Sequence, residues 1–143
     1  MVSPNDIPID VEYVLRRIPN QIDYIKLTLS RPVTRLAFRP NNRDTGGISL
    51  FRELFTTALD LARSGQCETG YYVIRLQVRE ITSIGLTLVP DPKDDQLSGH
   101  CLIPELECEY KLLDKQSSKQ KQQALADITN NNFQTRLVYS PTI

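Results

Sequence analysis

Arg31, Arg35, Arg39 and Arg43 recur at every fourth position through RPVTRLAFRPNNR. A guanidinium is planar and donates paired hydrogen bonds, so such a row suits a phosphate or carboxylate. Gly46 and Gly47 follow closely, and turn amides there would add donors to an anion pocket, although a hairpin or loop turn is the more ordinary use of two glycines. From Tyr24 to Asn42 the chain has Lys26 and three of these arginines but no acid; the acidic counterpart is distant, in Glu105, Glu107 and Glu109 of PELECE. Two adjacent strands with opposite charges gain roughly 0.2–1 kcal/mol per cross-strand pair. The expected ligand-binding residues are therefore Arg35, Arg39, Arg43, Glu107 and Glu109. They would form either a salt-bridged sheet face or, if that face is concave, a polar site for an anionic group or a protein partner.

The order Arg35, Ser49 and Glu107-Cys108-Glu109 also resembles the key residues of the Arg-Ser-Glu class of ADP-ribosyltransferases. The resemblance implies an NAD-binding enzyme in which Arg35 holds the dinucleotide phosphates, Ser49 supports the nicotinamide site and Glu109 stabilises the developing ribosyl cation. It covers three short patterns, and the STS motif of that class is absent. A non-enzymatic binding or accessory module explains the same charges with fewer assumptions and is the expected function.

Other chemistry has less support. The chain has no G-x-x-x-x-G-K-[ST] loop, G-x-S-x-G elbow or H-E-x-x-H pair, so no cofactor is expected. His100 is the single histidine, a candidate general base beside Glu105 or Asp95. Cys67, Cys101 and Cys108 are three in number and lack C-x-x-C spacing, which points to reduced, mostly buried thiols rather than disulfides or a zinc site. His100 and Cys101 are strand neighbours and would point to opposite faces, which disfavours a shared metal ion.

Composition limits the partners. Lys plus Arg and Asp plus Glu both number 17, so no overall field draws the molecule onto nucleic acid or an anionic membrane, and a protein partner ranks ahead of both. Apolar runs fall far short of the roughly 20 residues that span a bilayer, and MVSPNDIPID lacks the pattern of a signal peptide. A cytoplasmic, bacterial-type interaction protein is expected. At 143 residues the chain has the common size of one domain.

The elements that must position these groups follow from periodicity. DVEYVLRRI, bounded by prolines, has Val11, Val14, Leu15 and Ile18 at helical spacing behind Asp10 as a cap. VTRLAF alternates and predicts a strand with Leu36 and Phe38 inward. ISLFRELFTTALDLARSG predicts the main helix at about residues 50 to 63; a strand in ISLF with the helix starting at Thr57 is the alternative. YYVIRLQV is the clearest strand, REITSIG a helical turn ending at Gly85, LTLVP a short strand, and HCLIPELECEYKL a strand that Pro104 breaks or places at an edge. A polar patch leads into a short helix with Ala124, Leu125 and Ile128 on a thin stripe, and TRLVY is a last strand. The sum is one α+β domain with a mostly antiparallel sheet of five or six short strands. Its expected core comprises Leu36, Phe38, Leu54, Phe55, Ala58, Tyr72, Ile74, Leu76, Ile81, Ile84, Leu86, Leu88, Leu106 and Val138.

Overall fold

A computed structural model of the chain describes residues 2–41, 44, 46–93, 97–108 and 115–141. Six strands, β1 (Tyr13–Pro19), β2 (Ile48–Arg52), β3 (Tyr71–Gln77), β4 (Val89–Pro90), β5 (His100–Ile103) and β6 (Leu137–Tyr139), form one sheet in the order β4-β5-β2-β1-β3-β6. Every neighbouring pair is antiparallel. The helices are α1 (Ala58–Arg63), α2 (Val78–Thr82), α3 (Lys115–Asn130) and α4 (Phe133–Arg136), with 3-10 helices at Arg35–Phe38 and Pro104–Leu106. This is the α+β architecture the alternating strands predict.

The helix expected at residues 11 to 18 is instead β1, near the centre of the sheet. Val14, Leu15 and Ile18 satisfy both periods, but β1 has partners on both edges and apolar cover on both faces, so tertiary pairing overrides a short local helix. Val14 and Ile18 join the main core with Ile48, Leu50, Ile74, Leu76 and Phe38, whereas Leu15 turns to the other face, with Leu61 and Val73.

Residues 50 to 63 divide into a strand and a helix rather than one helix. Thr57 accepts a hydrogen bond from the Asp60 amide at 3.1 Å and caps α1, as the alternative reading of this segment predicts. The main helix is α3, at 16 residues, which packs on the core face through Leu125 and Ala126. Two expected core residues are exposed: Leu54 lies between β2 and α1, and Val138 faces outward on the edge strand β6.

Gly47 has a φ of +117°, and a β-carbon there would stand 2.1 Å from the Ile103 carbonyl oxygen. The glycine is thus required by the close approach of β2 to β5, which accounts for it without an anion. In the sheet interior, Arg52 is fully buried and donates from Nε and Nη2 to the two carboxylate oxygens of Glu12, each at 2.9 Å. Its Nη1 reaches the carbonyls of Ser3 and Asp6 at 3.2 and 2.7 Å, which fastens the N-terminal segment to β2.

Candidate functional site

The arginine row does not lie on a strand. Pro32 and Pro40 remove ladder donors at both ends, and the segment between them makes one isolated bridge, Val33 to Ile25, and then the 3-10 helix Arg35–Phe38. Much of its polarity is satisfied by α3. Arg31 pairs with Asp127, and Arg35 Nη1 donates to Gln122 Oε1 at 3.1 Å. Gln122 is itself wholly buried and donates onward to Ser118 Oγ at 3.0 Å. The Asn130 amide brackets Val33, accepting from its N–H at 2.8 Å and donating to its carbonyl at 2.9 Å.

The glutamates are elsewhere. Glu105 lies in the 3-10 helix Pro104–Leu106 and accepts from the Thr87 amide and hydroxyl at 2.9 and 2.7 Å, and Glu107 follows that helix in extended backbone. The expected Arg/Glu-lined sheet face is therefore corrected for the described residues, because none of Arg35, Arg39, Glu105 and Glu107 lies in a strand. Arg43, Glu109 and Asp95 lie outside the described residues.

Of the expected ligand-binding residues that are described, Arg39 borders a hollow. The end of β1, the following loop and the 3-10 helix Arg35–Phe38 enclose a depression of about 480 Å3. Pro19, Leu36 and Pro40 give it apolar wall, Tyr24 a ring, and Asp23, Asn41, Arg39 and Arg16 its polar groups.

Arg16 was not among the expected site residues. Strand parity puts it between Val14 and Ile18 on the core face, where an aliphatic side chain would be ordinary. Beside it, the β1–β2 register runs through Val14–Arg52 and Leu15–Phe51, and its guanidinium takes up carbonyls next to that seam. Nη1 donates to the Ser49 carbonyl at 2.8 Å, while Nε and Nη2 donate to the Ala37 carbonyl at 3.1 and 3.0 Å. These bonds use three of the five N–H groups of an arginine and leave two that could serve a ligand. Part of the side chain reaches solvent through the depression, yet burial lowers its pKa from 12.5 to about 10; Asp44 opposes that shift and Arg17 adds to it. Among the described residues, no carboxylate lies within ion-pair distance of Arg16.

The other sheet face carries a second polar cluster. His100 pairs across the ladder with Phe51, their rings 5.0 Å apart, and its Nε2 lies 2.8 Å from Ser49 Oγ. Its Nδ1 is 2.9 Å from the Asp91 carbonyl oxygen and 3.1 Å from Asp91 Oδ2. Cys101 turns the opposite way, into the main core, so His100 and Cys101 do not converge. Among the described residues, no group of three His, Cys, Asp or Glu side chains is placed to hold a metal ion. The side chains of the ADP-ribosyltransferase-like set are engaged separately, Arg35 with Gln122 and Ser49 with His100.

No family model, curated protein or solved structure matches the chain. No helix among the described residues is long and apolar enough to cross a membrane.

Proposed function

We propose that the chain binds a small organic anion in the depression floored by Arg16 and bordered by Arg39. The observation that supports this most is the Arg16 guanidinium itself. It is buried deeply enough that its pKa falls to about 10, bonded only to neutral carbonyls, and provided with spare donors. A buried cation with no carboxylate in contact is costly, and a bound phosphate or carboxylate supplies a close countercharge together with paired acceptors. The wall of Pro19, Leu36, Pro40 and Tyr24 suits an attached ring or apolar body, and Asp23 and Asn41 can meet its hydroxyl or amino groups.

Thermal unfolding with inorganic phosphate, citrate, benzoate and ADP tests this reading. A ligand that binds only the folded state raises the melting temperature, by about 4 °C per kcal/mol for a chain of this size. A ring-bearing anion is expected to raise it more than inorganic phosphate does, and Arg16→Met to abolish the rise. If every anion leaves the wild type unshifted, or Arg16→Met retains the full shift, the depression is not the site.

A further inference from the structure

We infer that Ser49 is an activated nucleophile, with His100 as its general base and Asp91 as the group that orients the imidazole, suited to an ester or comparable acyl electrophile. This goes beyond the anion site, which lies at the other face of the sheet.

The argument begins with the imidazole tautomer. A carbonyl oxygen only accepts, so the 2.9 Å contact to Asp91 places the proton on His100 Nδ1. Nε2 then carries its lone pair toward Ser49 and accepts the hydroxyl proton at 2.8 Å. That is the tautomer a general base requires.

Asp91 contributes a second feature. Its Oδ2 is buried and makes no hydrogen bond, yet it stands 3.1 Å from Nδ1. Lys93, largely exposed, is its other charged neighbour at 3.5 Å. A buried carboxylate oxygen left in this way stabilises an imidazolium more than a neutral ring, so it favours proton transfer from serine to histidine. His100 is held by β5 and by the Phe51 ring, while Ser49 is partly buried and less enclosed than His100.

The step balances without any co-reactant. Ser49 Oγ bonds to the carbonyl carbon as its proton passes to His100 Nε2; the ester C–O bond then breaks and the departing alcohol takes that proton. Water, deprotonated by the same nitrogen, releases the acid and restores the hydroxyl. A fluorophosphonate reports the first half: an O–P bond forms, the P–F bond breaks and fluoride leaves.

The folded full-length chain is incubated with a fluorophosphonate and digested, and the modified serine is located by mass spectrometry. The label is expected on Ser49, absent from Ser49→Ala, and formed at least about 100-fold more slowly in His100→Gln. Wild type unfolded in urea makes the same comparison without a variant, and there the label must disappear. A folded wild type that stays unlabelled, is labelled at another serine, or reacts no faster than its unfolded chain would overturn the assignment. So would an unchanged rate in a folded His100→Gln, because a merely structural Ser49–His100 hydrogen bond confers no reactivity.

Discussion

Burial pushes the Cys101 thiol up to about 12, so it stays protonated at neutral pH and is shielded from reagents. Cys67 differs. It lies in the loop after α1, where the Thr69 hydroxyl leads a set of hydrogen bonds that lower its pKa. Cys108 is wholly buried. A thiol reagent such as DTNB is therefore expected to modify one cysteine quickly in the native chain, lost in Cys67→Ser, and all three after unfolding. Rapid native reaction of Cys101 or Cys108 would contradict the packing described. At this same scale, Arg16 and Arg35 show why residue type alone did not locate the depression. Arg35 stood out in the regular row but is bonded to a buried glutamine, whereas Arg16, in the plain string VLRRI, occupies a core-facing strand position. The signal was present as the alternation Val14, Arg16, Ile18. It could be read only once the segment was known to be extended.

Among the elements, those with one clear period were legible. YYVIRLQ is β3, Thr57 caps α1, and Gly85, with φ at +83°, ends the turn after α2. The strand β1 was not, because Val14, Leu15 and Ile18 satisfied helix and strand alike and its two sheet partners are remote in sequence. The length of α3 was hidden for a different reason: its buried face includes Ser118, Gln122 and Thr129, which dilute the apolar stripe while serving the seam with Arg35. Polar groups also fix the N-terminal segment. Truncating Arg52 to alanine leaves Glu12 buried without its partner, so Arg52→Ala is expected to cost about 3–5 kcal/mol in urea denaturation. The paired variant with Glu12→Ala should cost less than the sum of the two single changes. Strict additivity would show that the two side chains act independently.

At the scale of the whole molecule, equal numbers of acidic and basic residues leave function to local arrangement rather than to a global field. The sheet separates two such arrangements, the Arg16 depression bordering its core-facing side and the Ser49–His100–Asp91 cluster on the other. Composition and alternation conveyed the α+β class, since they reflect burial averaged over many residues. They did not convey the depression, which is assembled from the end of β1, a loop and a 3-10 helix. The central claim is that an anion meets Arg16, and the most direct measurement is an NMR titration that follows the arginine Nε–H resonances while ADP is added. The account predicts a saturable shift at Arg16, a smaller one at Arg39, and none at Arg31 or Arg35, which α3 already engages. An Arg16 resonance that stays fixed while ADP binds elsewhere, or that fails to move at any concentration, would contradict it.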